Sequence, residues 1–347
     1  MESRKEIKIG IIGAGGIFRQ RHFPGLKKVS GIKTVAVCNR TKESGEKVAK
    51  EYGIPTVLTD WQALIAMKEL DAVMIGAWPY LHRPASIAAL DAGKHVFTQA
   101  RMAMDYKEAK EMYEKAKKKG LVNMVCPAPH AMKGDNLMRK LIRDGYVGRV
   151  YNILVKDMNS QYTDPAAPLH WRQVRKYSGF NTLTLGMHVE VIHRWFGYAK
   201  KVVALDQTFT KERKDPESGK MGKVERPDSV MIAAEMESGA LAQFIFSGVT
   251  LFPEESTISV YGSEGTLIYR MASHEILGAR RGDKELKLIP IPLDLAKEWT
   301  VEADFIAAIR EGKKVEPTFY EGMKYMEFTE AVFRSSEKGQ TVALPLE

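Results

Sequence analysis

His188 sits in the stretch YSGFNTLTLGMHVEVIHRWFG, at the start of a run with helical spacing. Histidine is the side chain whose ordinary pKa lies closest to neutral, so it can take a proton from a hydroxyl group and return it. The alternative for His188 is a structural role at a helix start. His193 lies five positions on, and at about 100° per residue it points away from the groups that His188 meets. Further candidates to assist are His130 in CPAPH, Tyr162 and His170 in the long stretch 157–181, and Asn181 at its end. Each has a plain alternative in packing or loop structure. The segment GKHVFTQARMA (93–103) is chemically weaker. Its apolar run leads into Gln99, Ala100 and Arg101: an amide, a methyl and a permanent cation. None of these is a good proton donor or acceptor near neutral pH. Arg101 can hold a carboxylate or phosphate bidentately, or simply close a surface loop.

A second chemistry is carried by GAGGIF (13–18), which follows an apolar run and opens a helix. Gly13 permits a tight turn, and Gly15 lets the backbone approach a pyrophosphate. Gly16 and Ile17 then stand at a helix N-terminus, with free amide donors and the positive end of the dipole. The third glycine of the usual fingerprint is replaced by Phe18. The end of the next strand reads Asn39-Arg40-Thr41, with no acid to bind a ribose 2′-hydroxyl. Arg40 can pair with a 2′-phosphate and Thr41 can donate to it, which leans the reading to NADP. Asn39 can still bond a 2′-hydroxyl, which leaves NAD open.

These groups must be positioned by elements, and the pattern of elements changes near Asp135. Before it, apolar strand-like runs alternate with helical stretches of roughly 10 to 15 residues, as in βαβ units on a parallel sheet covered on both faces. After it, GRVYNILVKDM alternates like a strand. The runs SVMIAAEMESGALAQFIFSG, STISVYGSEGTLIYR and EILGARRGDKELKLIP each carry a glycine-bearing turn, as hairpins do. The expected fold is therefore α/β: a Rossmann dinucleotide-binding domain over 1–128, then an α+β domain over 129–347. The second is built on a large, mostly antiparallel open sheet, with helices at 186–196 and 296–311 against it; the final strand or helix can return to the first domain. The polar segment 209–228 reads as an exposed loop.

The totals fit this division. A chain of 347 residues, 44% hydrophobic, is long enough for two cores. Its net charge of +9 is scattered, with no nucleic-acid-reading motif. The two cysteines, Cys38 and Cys126, show neither a disulfide framework nor metal-ligand spacing and read as core thiols. No apolar run approaches membrane-spanning length, and no signal segment opens the chain. A cytoplasmic protein without metal, membrane or nucleic-acid partner is expected.

Five stretches together resemble the glucose–fructose oxidoreductase, inositol dehydrogenase and MocA family, often written Gfo/Idh/MocA. They are GAGGI, GAWPYLHRPASIAALDAGKHVF, YSGFNTLTLGMHVEVIHRWFG, VYGSEGTLIY and GMKYMEFTEAVFRSSEKGQTVAL, and the likeness covers nearly the whole chain. The resemblance implies the same two-domain fold, NAD(P)-linked oxidation or reduction of sugars and polyols, and a homodimer or homotetramer formed through the second domain's sheet. It implies cofactor contacts from Gly13 and Gly15 and from the loop Ala77-Trp78-Pro79 with His82, where Trp78 replaces the family's usual Thr and Tyr80 its Asn. Gln99 belongs to the same set, and Trp171-Arg172 and His188 match the substrate side. It also exposes two departures. The family's lysine, which bonds the reacting hydroxyl, aligns with Ala100, and the aspartate of its Asp-x-Gly-x-His motif aligns with Thr184. His188 is left as the acid/base candidate. Three readings follow: an oxidoreductase acting on a sugar-like hydroxyl or ketone; a redox-neutral lyase, epimerase or glycosidase that retains its dinucleotide; and a non-catalytic dinucleotide sensor.

Overall fold

A computed structural model describes residues 6–127 and 132–347. The chain divides into two compact units. The first runs up to Pro127 and includes Trp299–Met323; the second ends its main stretch at Glu298 and includes Lys324–Glu347.

The first unit is a six-stranded sheet in the order β3-β2-β1-β4-β5-β6, with the paired strands parallel. The strands are Ile7–Ile12, Ile32–Cys38, Thr56–Leu58, Ala72–Ile75, His95–Thr98 and Asn123–Val125 (β1 to β6). Their residues are apolar without alternation, and Ile9, Ile11, Val37, Val73, Met74 and Phe97 have no exposed surface. Both faces of the sheet are therefore covered. The connecting helices are α1 (Phe23–Leu26, preceded by a π-turn at Phe18–His22), α2 (Lys42–Tyr52), α3 (Trp61–Ala66), α4 (Pro79–Asp91) and α5 (Tyr106–Lys119). Side chains of Thr41, Asp60 and Asp105 cap α2, α3 and α5 at their N-termini. Gly53 and Gly120 close α2 and α5 in the left-handed conformation.

The second unit carries α6 (Asp135–Arg143), strands Val150–Met158 (β7), Ala199–Gln207 (β8), Glu212–Lys214 (β9), Met221–Lys223 (β10), Ser229–Met236 (β11) and Leu241–Ser247 (β12), and helices α7 (Arg175–Ser178) and α8 (Leu185–Phe196). Further strands are Thr257–Gly262 (β13), Gly265–Arg270 (β14), Ile276–Arg280 (β15), Lys287–Ile289 (β16) and Val342–Ala343 (β17). Nine of them form one sheet, β16-β15-β14-β13-β7-β12-β11-β8-β17. It is antiparallel except where β7 and β12 run parallel. One face buries Ile153, Val155, Phe244, Phe246, Ile232 and Val260; the other leaves Leu205, Met231 and Leu241 exposed.

Two expectations need correction. The helix expected near 296–311 to pack against this second sheet is α9 (Val301–Glu311), and it belongs to the first unit. Val301, Phe305 and Ile306 join the first unit's core cluster, so its apolar stripe is spent there. The segment 209–228 is not simply an exposed loop. It forms the β9–β10 hairpin, and its Arg213 is 1% exposed. The last long helix, α10 (Phe319–Lys338), is followed by β17, which pairs with β8 in the second sheet.

Candidate active site

In the first unit, the glycine turn is built by backbone bonds. Gly13 donates to the Cys38 carbonyl (2.8 Å), and Gly15 donates to the Gly13 carbonyl (2.9 Å). Gly13 has φ of +82°, and a Cβ on it would lie 2.5 Å from the Ala77 nitrogen, so only glycine fits. Nothing lies within 4 Å of where a Cβ would stand on Gly15 or Gly16. That open side faces a cleft of about 620 Å³, lined by Gly13, Gly15, Gly16, Asn39, Arg40, Ala77 and Trp78 among others. Glycine amides at a helix start beside a cleft of this size fit the phosphates of a dinucleotide. Phe18, where the fingerprint's third glycine is missing, is fully buried and lies against Gly76, where a Cβ would overlap its ring. The close packing is kept by a glycine on the other side of the contact.

At the far end of the cleft, the Asn39 side-chain carbonyl accepts from the Ala14 amide (2.9 Å). Its NH₂ group is therefore the part available to a ligand. The Arg40 guanidinium lies 5.8 Å from the Trp78 ring centre. Thr41 is otherwise engaged: its hydroxyl accepts from the Ser44 amide (3.3 Å) and donates to the Ser44 hydroxyl (3.0 Å), capping α2. Pro79 begins α4 and is buried. His82 is 1% exposed, with Nδ1 against the carbonyls of Arg101 (3.1 Å) and Met102 (3.2 Å) and Nε2 against that of Ala77 (2.8 Å). Burial pulls its pKa down while the three carbonyls pull it up. The ring thus ties the loops after β4 and β5 together. Gln99 bonds the buried ring of His22, whose Nδ1 meets the Glu302 carboxylate at 2.5 Å. Trp299 donates to the other carboxylate oxygen (2.8 Å). Ala100 is half-buried, and Arg101 is 7% exposed. The loop is held firmly by the amide before Ala100, but no amine stands at that position.

In the second unit, His188 is 3% exposed on the first turns of α8, its ring 5.6 Å from that of Phe246. Its Nδ1 lies within hydrogen-bond reach of the Thr184 carbonyl (3.3 Å) and 3.7 Å from the Asp157 carboxylate. A neutral imidazole has one N–H, and the Thr184 carbonyl, with the Asp157 charge close by, fixes it at Nδ1. The lone pair then lies on Nε2, which is buried and has no hydrogen-bond partner among the described residues. Burial lowers the His188 pKa below its ordinary value, and Asp157 partly offsets this. Thr184, which stands where the family's aspartate is expected, donates its hydroxyl to Asp157 (2.6 Å). Asp157 did not emerge from the sequence. Its signal was there: Ile153, Val155 and Asp157 alternate onto the covered face of β7, so a carboxylate stands where the pattern calls for an apolar residue.

The other candidates form their own groups. His170 caps the turn Trp171–Gln173 by accepting from the Arg172 amide (3.2 Å), and the Arg172 guanidinium lies 4.3 Å from the Trp171 ring centre. Tyr162 is 8% exposed and packs on Gly248. Asn181 is buried and donates to the Ser178 carbonyl (2.7 Å). His193 packs edge-on against Tyr198 and Phe328, apart from the Phe246 contact of His188. His130 lies outside the described residues.

Residues 7–126 match the model of an oxidoreductase family with an NAD-binding Rossmann fold, and residues 139–344 match that family's C-terminal alpha/beta domain. Levoglucosan dehydrogenase from Pseudarthrobacter phenanthrenivorans is 26% identical, with 98% of this chain and 99% of that protein covered. The 1,5-anhydro-D-fructose reductase of Ensifer adhaerens is 28% identical, with 96% and 98% covered. The crystal structure of an oxidoreductase domain protein from Kribbella flavida superposes with a TM-score of 0.89 at 25% identity, covering 99% of this chain and all of that one.

Proposed function

Since this chain belongs to the Gfo/Idh/MocA oxidoreductase family, we propose that it oxidises a hydroxyl group, or reduces the matching ketone, on a sugar or sugar-derived polyol. The relatives named for anhydrosugar substrates support that substrate class. A bound nicotinamide dinucleotide supplies the site that accepts or gives the hydride. The amides at the helix start after Gly15 bind its phosphates, as the open space above Gly15 and Gly16 permits. Asn39 and Arg40 read the adenosine ribose with donors only, which favours NADP over NAD. His188 receives the hydroxyl proton at Nε2 during oxidation and returns it during reduction. The observation that carries this reading is the bare Nε2 of a buried ring whose Nδ1 faces the Thr184 carbonyl, with the Asp157 carboxylate 3.7 Å away.

The test is turnover on a panel of sugars, anhydrosugars and polyols with NADP and NAD, read by nicotinamide absorbance. Activity in the wild type and its loss by about 100-fold or more in His188→Asn is expected. Cofactor binding without turnover on any member would sink the reading. Ala100, in place of the lysine, favours one second reading, a redox-neutral cycle on the same fold. That cycle forms product with no net absorbance change. Ala100→Lys separates the two: new net turnover would mark the native protein as redox-neutral, whereas loss of an existing activity would mark a dehydrogenase site rebuilt around the smaller side chain.

The two buried free thiols, Cys38 and Cys126, fit a reducing, cytoplasmic setting. Among the described residues no helix is long and apolar enough to cross a membrane. The exposed face of the nine-stranded sheet is the surface through which we expect a homodimer or homotetramer to form.

A further inference from the structure

The acid that the start of α8 lacks has a counterpart on another element. We propose that Asp157 of β7 is the carboxylate partner of His188, orienting the imidazole through Thr184 in place of an aspartate at the helix start. The inference rests on the reading of His188 as the proton-handling group.

Four observations carry it. First, strand alternation places Asp157 on the covered face of β7, beside the fully buried Val155 and in parallel register with Phe246. Phe246 is the residue whose ring packs on His188. An acid on that face has a desolvation cost unless it is bonded. Second, it is bonded on both oxygens: Thr184 donates to Oδ2 and Ser256 to Oδ1, each at 2.6 Å. Both hydroxyls point at the carboxylate and pin its plane. Third, Thr184 occupies the N-cap of α8 but makes no side-chain cap bond to the helix. A threonine there ordinarily accepts from an amide of the first turn. Here its hydroxyl donates to Asp157 instead, while its carbonyl accepts from the His188 ring. Fourth, Oδ2 stands 3.7 Å from Nδ1, too long for a hydrogen bond to the neutral ring but close enough to stabilise an imidazolium once Nε2 takes a proton. The groups facing the ring are then the carboxylate from β7, the Thr184 carbonyl from α8 and the Phe246 face from β12. Among the described residues Asp157 is the charged group facing the ring, and its removal makes the ring harder to protonate.

Nuclear magnetic resonance of the His188 ring nitrogens in the intact protein tests the partnership without a substrate. In the wild type the Nδ1–H tautomer and a titration below the ordinary histidine range are expected. Asp157→Asn, an isosteric change, should move that titration to lower pH. Adding Thr184→Asp to Asp157→Asn should move it back up. In activity assays on the best substrate of the panel, Asp157→Asn should lower kcat by about 10- to 100-fold with KM little changed, and the acid limb of the oxidation pH profile should shift down. Thr184→Asp should restore part of kcat. An unchanged His188 titration in a folded Asp157→Asn protein would overturn the proposal even if His188→Asn is inactive. Full activity in His188→Asn would instead remove the reading on which it rests, and the partnership with it.

Discussion

Two of the residues that depart from family expectation have a counterpart elsewhere in the same unit. Phe18 fills the position of a fingerprint glycine, and Gly76 supplies the missing space across the contact. Gly76→Ala should therefore destabilise the protein by about 1–3 kcal/mol, since its Cβ would meet the Phe18 ring and lie 2.7 Å from the Gly13 carbonyl. Adding Phe18→Leu should recover part of that loss in thermal unfolding, the remainder coming from the backbone contact. Full additivity of the two changes would refute the pairing. Thr184 and Asp157 make the second such pair. The sequence exposed what was missing at 18, 100 and 184, because a motif is read along the chain. It did not expose the replacements, because these lie 58 and 27 positions away and meet only through sheet register and helix packing. Thr41 was misread for a related reason: its hydroxyl can serve a ligand or a helix cap, and the local cap at Ser44 takes it.

At the level of elements, periodicity revealed the parallel strands, the hairpins and α8, but not the destination of α9. Its amphipathic pattern shows that a face is buried, not which sheet buries it. The β9–β10 hairpin was hidden by its polar sequence. Its purpose is plain once Arg213 is placed. The guanidinium donates to the carbonyls of Asp164 (2.6 Å), Ala167 (3.0 Å) and Tyr162 (2.7 Å) and so holds the turn that carries Tyr162. Hydrogen bonds from a charged donor contribute about 1.5–3 kcal/mol each. Arg213→Met should leave three carbonyls unsatisfied and loosen residues 160–170, detected as faster amide exchange and proteolysis there. Arg213→Lys should rescue little, since a single ammonium cannot reproduce the planar fork. Unchanged exchange in Arg213→Met would mean that the turn is held by other means.

For the whole molecule, composition bounds only the extremes. Surface and pH behaviour are more informative. Leu205 is 71% exposed and Met231 56%, and they are directly paired across β8 and β11. This exposed apolar face is the surface through which assembly of copies is proposed. Leu205→Lys with Met231→Lys should lower the mass measured by light scattering to that of one chain, with the far-ultraviolet spectrum intact; an unchanged mass would place the interface elsewhere. Acid should destabilise the fold through His193, whose pKa burial and Lys324 push down to about 3. The unfolded chain takes up this proton near pH 6.5 and the folded chain does not, so stability is lost as pH falls below about 6.5, by up to roughly 1.4 kcal/mol per pH unit. His193→Phe should flatten that slope in denaturant titrations at pH 4 to 7, and an unaltered slope would count against it. The return of α9 to the first unit bears on how the protein is made. Glu302, which holds His22 and through it Gln99, leaves the ribosome just over two hundred residues after the strand that ends at Thr98. The nucleotide-binding unit therefore waits, with His22 lacking its carboxylate, until the intervening unit has been translated. During synthesis most of the second unit's chain emerges before the first is complete, and its closing segment Lys324–Glu347 emerges last of all.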